Sequence, residues 1–317
     1  MMRWFGILAV VGMAALVGGE LIARHGYGLG DPPLSVGDQD IDYIFRPNQH
    51  CSRFGNRIWY NDLSMRMDAD VSGAAPARRK LFVVGDSVVN GGALTDQDDL
   101  ATSILQHEFP KWLVCNVSAG SWGPGNYVAY FRRHPSLVGT NDVLFLEVAS
   151  HDLWEDDPRD GAGKIVGVDV SFPARRPFCA LSDGWFRYAL PRLRRWMQMT
   201  PNGKGEEGVG DAIPKIGQEH SSQEAENTRA TYNLDCCRWL FGLPFAKKFL
   251  VIHRTADEWR NGKIAAGESA FVRCAKKAGV PVVLLRLEPG KDYRDTIHLN
   301  KNGQAKLARA IAKAMCP

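Results

Sequence analysis

The chain has 317 residues, of which 45% are hydrophobic, 10% aromatic and 23% charged, so it has globular composition and enough apolar material for a large core. Its 39 basic and 35 acidic residues leave a formal charge of +4. No basic stripe interleaved with aromatics runs through it, which excludes nucleic acid as the expected partner.

Met1-Met2-Arg3 precedes an apolar run from Trp4 to Val17 that extends through Leu21-Ile22-Ala23, the pattern of a signal peptide or a retained signal anchor over residues 1–24. The retained anchor is preferred, and the positive charge ahead of the run places the N-terminus on the cytoplasmic side. The expected location is therefore the inner membrane, with the rest of the chain in the periplasm, or secreted if the signal is cleaved. Residues 25–79 form a lead-in: a Gly/Pro-rich stretch from Gly26 to Pro33, then aromatic and β-branched residues between Asp42 and Met67 that predict short strands and turns.

Residues 80–317 read as the main domain. Four apolar runs, Leu81–Val84, Trp112–Cys115, Val143–Leu146 and Val280–Leu285, are strand candidates buried on both faces. Helices are predicted over Leu100–Phe109, Asn126–Arg133, Ala256–Ala278 and Lys301–Ala314, with Gly279 closing the third. Strands alternating with helices predict an α/β fold around a flavodoxin-like parallel sheet. An insertion occupies about 155–250. Within it Ile165–Phe172 alternates like a hairpin strand, Trp185–Met199 is helical despite Pro191, and Thr200–Thr228 is a polar loop. The basic run Arg192-Leu193-Arg194-Arg195 is the solvated face of that helix. Seven cysteines (Cys51, Cys115, Cys179, Cys236, Cys237, Cys274 and Cys316) make an odd set without metal-ligand spacing, so no metal or other cofactor is expected.

Gly85-Asp86-Ser87 stands where the first main strand turns into a helix, at the carboxyl edge where open parallel sheets bind ligands. A serine hydroxyl there is lifted clear of the sheet, with its own N–H pointing toward a developing oxyanion. Alone, Gly-Asp-Ser is weak evidence, since a capping turn has the same residues. At the other end of the chain Asp295-Thr296-Ile297-His298 supplies a base and an orienter at i, i+3 spacing. One turn can set the Asp295 carboxylate against one imidazole nitrogen while the other faces Ser87.

With these motifs, residues 80–312 resemble the SGNH (GDSL-like) hydrolase family, which carries a Gly-Asp-Ser nucleophile after its first strand and Asp-x-x-His before its last helix. The resemblance implies Ser87, Asp295 and His298 as catalytic residues. It also implies an oxyanion hole built from the Ser87 N–H, a glycine after the second strand and an Asn after the third. Here Gly120 and Gly123 compete for the glycine position, and His151 stands in Val148-Ala149-Ser150-His151-Asp152 where the family reads Asn; Asp152 matches the family's Asp and braces the loop. An imidazole can donate one hydrogen bond, so His151 is the fourth candidate of the hole. Anchored members resemble enzymes that add or remove O-acyl groups, acetyl above all, on exopolysaccharides and other envelope glycans. Such enzymes work beside a membrane acyltransferase, which is an optional partner here. A non-catalytic glycan-binding or scaffold protein with a degenerate site is the alternative, and a lipase or thioesterase a third. Trp122, Trp154 and Trp185 are aromatics that could stack on sugar rings or fill the core.

Overall fold

The computed structural model describes residues 2–71, 78–161, 163, 166, 173–198 and 223–316. The hairpin strand read at Ile165–Phe172 and the loop read from Thr200 lie largely outside them.

An apolar helix, α1 (Met2–Leu21), leads through a wide turn at Ile22–Gly26 into two antiparallel hairpins. These are β1 (Ser35–Asp38) with β2 (Asp42–Phe45), and β3 (Gln49–Arg53) with β4 (Asn56–Tyr60). The main sheet has five parallel strands: β5 (Lys80–Gly85), β6 (Leu113–Ser118), β7 (Val143–Ala149), β8 (Lys247–His253) and β9 (Val282–Leu284). Their order is β6-β5-β7-β8-β9, the flavodoxin-like 2-1-3-4-5 arrangement. From β5 the chain crosses to one side for β6 and then to the other for β7. The crevice outside the carboxyl ends of β5 and β7 is thus the topological switch point.

Along each strand alternate residues enter opposite cores, because successive side chains point to opposite faces. Phe82, Val84, Leu144, Leu146, Leu250 and Ile252 face one layer, formed by α4 (Pro124–Arg133), α8 (Gln223–Gly242), α10 (Ala266–Lys277) and the hairpins. Leu81, Val83, Val143, Phe145 and Val251 face the other, formed by α3 (Ala101–Glu108), α9 (Ala256–Asn261) and α11 (Lys301–Met315). The remaining helices are short or peripheral: α2 (Ser87–Asn90), α5 (Pro158–Gly161), α6 (Ala180–Gly184) and α7 (Leu190–Gln198). Pro191 is accommodated inside a continuous helical run because the chain widens into a π turn over Trp185–Ala189 just before it, where the regular i→i−4 ladder is already interrupted.

Two expectations are corrected. The helix read continuously over Ala256–Ala278 is two helices, broken where Gly262 takes φ 64°, a left-handed position that ends α9. The stretch read as an insertion up to about residue 250 contains α8 and the start of β8, both integral to the main fold; all five residues Phe249–His253 are buried in the sheet.

The lead-in packs directly on the elements that carry the site. Ile41, Tyr43, Phe45, Ile58 and Tyr60 join the first core. The buried Arg66 guanidinium donates to the carbonyls of Asn90 (2.6 Å), the last residue of α2, and of Thr95 (2.7 Å) beyond it. Tyr43 Oη donates to the Gly120 carbonyl at 2.5 Å, and Trp122 Nε1 donates back to the Tyr43 carbonyl at 3.1 Å. Trp122 is therefore a core residue, Trp154 is half-buried, and Trp185 is exposed.

Candidate active site

β5 ends at Gly85, and Asp86 caps the four-residue α2, its carboxylate accepting the Val88 N–H at 2.7 Å. Ser87 is the first residue of that helix, so its hydroxyl emerges at the switch point. Gly85 is required by close approach: a Cβ there would press on Val89 and lie 2.6 Å from Glu147 Oε2.

The partner residues arrive from the loop after β9. Tyr293 and Leu299 form an antiparallel bridge, and the Arg294 N–H donates to the His298 carbonyl at 2.9 Å, closing a tight turn around Asp295–His298. Asp295 Oδ1 accepts the N–H groups of Ile297 (2.8 Å) and His298 (2.7 Å). Asp295 Oδ2 lies 2.8 Å from His298 Nδ1, and His298 Nε2 lies 3.0 Å from Ser87 Oγ. The tautomer that serves both contacts carries its proton on Nδ1, leaving Nε2 to accept from Ser87. Burial pushes the Asp295 carboxyl up, but the hydrogen bond and charge of His298, with the two backbone N–H groups, more than offset this and hold it at about 2.

Two ties fix this loop on the turn that carries Ser87. Arg294 Nη1 donates to the Gly91 carbonyl at 2.8 Å, at the end of α2. Gln304, buried in α11, donates to the Val88 carbonyl at 2.7 Å and accepts the Ala101 N–H at 3.0 Å. Asn300 caps α11 by accepting the N–H groups of Asn302 and Gly303, so the turn and the last helix are one unit.

The loop after β6 holds the two glycines. The Gly123 N–H is committed to Asn126 Oδ1 at 2.8 Å, as part of the cap of α4. The Gly120 N–H donates no hydrogen bond among the described residues, so Gly120 is the glycine with an open donor. Next to it Ser121 takes φ 59°, an uncommon conformation for a residue with a side chain.

After β7 the chain turns through Ser150–Trp154. Asp152 is buried and accepts the Ala149 N–H at 2.8 Å, bracing the turn, while the half-exposed His151 has Nε2 3.4 Å from Asp152 Oδ1. A nitrogen of His151 and carboxylate oxygens of Asp86 and Asp152 lie within 4.8 Å of one another, the sole such donor cluster among the described residues. The Asp86 carboxylate is also 3.4 Å from Ser87 Oγ, which puts His151 beside Ser87. Since both carboxylates already serve backbone N–H groups of their own turns, this cluster orders the site.

Motif reading missed a buried layer beneath these residues. Glu147 in β7 and His253 at the end of β8 are both fully enclosed, with Glu147 Oε1 3.7 Å from His253 Nδ1. Burial, then the charge of Asp86, drives the Glu147 and Asp152 carboxyls well above the ordinary range. Burial, then the charges of His151 and His298, lowers His253 to about 3 and keeps it neutral. Half-buried Glu155, against Gly123, is raised to about 7 by burial and by Asp152. The signal available in the sequence was a lone Glu inside the apolar run Val143–Ala149.

No family model matches the chain, and no curated protein matches it. Solved structures do. An α/β hydrolase from the metagenome of Lake Arreo, Spain, is 14% identical over 74% of this chain and 94% of its own, with a TM-score of 0.42. A lipolytic protein of the G-D-S-L family from Veillonella parvula is 8% identical over 74% and 97%, with a TM-score of 0.41. The acetylxylan esterase Axe2 from Geobacillus stearothermophilus is 12% identical over 75% and 94%, with a TM-score of 0.38. At such identities and scores, the chemistry of this chain rests on its own side chains.

Proposed function

We propose that the chain is a membrane-anchored serine esterase or O-acyltransferase of the SGNH type, acting on acyl, foremost acetyl, esters of an exopolysaccharide or other envelope glycan. One observation carries the proposal: the unbroken line from Ser87 Oγ to His298 Nε2 (3.0 Å) and from His298 Nδ1 to Asp295 (2.8 Å), at the switch point of the sheet.

His298 Nε2 takes the hydroxyl proton as Ser87 Oγ attacks the ester carbonyl. The negative charge that develops on the carbonyl oxygen is met by the N–H groups of Ser87 and Gly120 and by His151. The imidazolium, steadied by Asp295, returns its proton to the departing alcohol, leaving an acyl-Ser87 ester. A second acceptor then gives its proton to His298 and takes the acyl group. Water makes the protein an esterase; a sugar hydroxyl makes it a transferase, with a membrane acyltransferase as source of the acyl group. Asp86 and Asp152 hold the turns that carry Ser87 and His151.

The anchor reading draws on the helix Trp4–Gly26, which is long and apolar enough to cross a membrane and has none of its most apolar window buried by the protein. With Arg3 ahead of it, the cytoplasm takes the N-terminus and the periplasm the catalytic domain. The alternative, a glycan-binding protein without turnover, draws on His151 in the oxyanion position. The two part on one assay: a fluorophosphonate probe modifies Ser87 of an enzyme with an activated serine and leaves Ser87 of the binding protein untouched.

A further inference from the structure

The membrane helix does not leave the folded body on a free tether. Residues 4–17 are exposed all round, and contact with the body begins at Gly18–Glu20. There the Glu20 carboxylate accepts the N–H groups of Ala180 and Leu181, both at 2.9 Å, capping the start of α6. Arg24, one turn on, pairs with Glu20 at 2.7 Å and donates to the Phe178 carbonyl at 2.9 Å. Gly19 lets the two helices approach, since a Cβ there would lie 3.3 Å from Leu181 Cδ1. The segment from Phe178 onward is thus bolted to the last turn of the spanning helix.

The docked segment exposes a set of residues unlike the rest of the folded surface. Phe178 is 102% exposed, Phe186 64%, Trp185 49% and Leu193 38%. Arg192 and Arg194 are exposed beside Leu193. From Trp4 to Glu20 the helix rises about 24 Å at 1.5 Å per residue. A bilayer has a hydrocarbon core of about 30 Å, so Glu20 and Arg24 mark the level where hydrocarbon gives way to headgroups. Phe178 and the start of α6, held by Glu20 and Arg24, therefore lie at that level, where aromatic rings are favoured and arginines meet lipid phosphates; Trp185, Phe186, Arg192 and Arg194 reach it if the helical run from α6 into α7 lies along the surface.

Resting on the retained-anchor reading, we infer that Phe178–Arg194 is a membrane seat: Phe178, Trp185 and Phe186 enter the interface beside the spanning helix, and Arg192 and Arg194 bind anionic headgroups. The occupant of this apolar face is the bilayer itself, continuous with the lipid around α1. The catalytic domain is thereby held at a fixed height and tilt, so that its reach is limited to acyl groups close to the membrane.

The test uses the full chain in lipid nanodiscs containing phosphatidylglycerol brominated on shallow acyl carbons, with no other protein present. Bromine quenches tryptophan only on contact, and subtracting the spectrum of Trp185→Phe, or of Trp4→Phe, isolates one indole among the nine. The seat predicts that the Trp185 component loses most of its emission, as the Trp4 component does. Arg192→Glu with Arg194→Glu should restore much of the Trp185 emission and leave Trp4 quenched. If Trp4 is quenched and Trp185 is not, the helix is an anchor but the seat is refuted, and the apolar face then belongs to a protein partner. If neither is quenched, the anchor reading itself fails and takes the seat with it.

Discussion

Replacing Asp295 by Asn leaves the side-chain volume unchanged and removes its charge. Asn Oδ1 can still accept the N–H groups of Ile297 and His298, so the turn should survive. The amide N–H₂ would then face His298 Nδ1, which must become an acceptor. The imidazole proton moves to Nε2, the atom 3.0 Å from Ser87 Oγ, where it blocks transfer of the serine proton. Asp295 is held near 2 against an ordinary 3.8. The hydrogen bond and charge shared with His298 act in both directions, so the carboxylate that His298 stabilises also favours the imidazolium formed during acylation, and Asn removes that support. The wrong tautomer carries the fall toward about 10⁴-fold. Hydrolysis of p-nitrophenyl acetate at pH 7–8 reads kcat/KM, and an unchanged thermal midpoint establishes that the turn is intact. An Asp295→Asn enzyme within about threefold of wild type would refute the relay as drawn.

His151→Asn supplies an amide donor in place of the imidazole and should preserve or raise turnover, whereas His151→Ala should lower kcat by roughly 10²-fold with little change in KM; an unchanged rate in the Ala variant removes His151 from the hole. Gly85→Ala forces a methyl against Val89 and Glu147, and should cost about 1–3 kcal/mol, read as a drop of several degrees in Tm; a wild-type Tm would mean that the turn relaxes freely. His253, neutral in the fold with a pKa of about 3, titrates near 6.5 when unfolded, so the unfolded chain binds a proton that the fold refuses. Its contribution is complete above pH 6.5 and drains away on acidification toward pH 3. Between pH 6.5 and 5, the urea stability of His253→Gln should gain about 2 kcal/mol relative to wild type; a pH-independent difference would show that His253 is protonated in the fold.

The line of contacts from Ser87 through His298 to Asp295 was legible because its geometry is local: Gly85-Asp86-Ser87 and Asp295-x-x-His298 each fit within one turn, and the α/β alternation places both at the same sheet edge. Strand β8 was not legible, since Lys247-Lys248 and the Leu243-Pro244 ahead of it disguise a short apolar run as the end of a polar excursion. Helix α8 escaped because its buried Asn233, Cys236, Cys237, Leu240 and Phe241 crowd into its second half, leaving the first half without an apolar stripe. Choosing Gly120 over Gly123 required knowing which amide Asn126 had taken. The Glu147–His253 layer joins residues more than a hundred positions apart on neighbouring strands, a pairing that only the register of β7 and β8 reveals.

The central claim is that Ser87 Oγ becomes acylated, and peptide mass spectrometry of the full chain, digested after brief incubation with p-nitrophenyl acetate and acid quench, tests it most directly. The account predicts an acetyl adduct on the peptide containing Ser87, absent from Ser87→Ala and from His298→Ala. A wild-type chain without that adduct and unreactive to fluorophosphonate, or an equal adduct in Ser87→Ala, would contradict it.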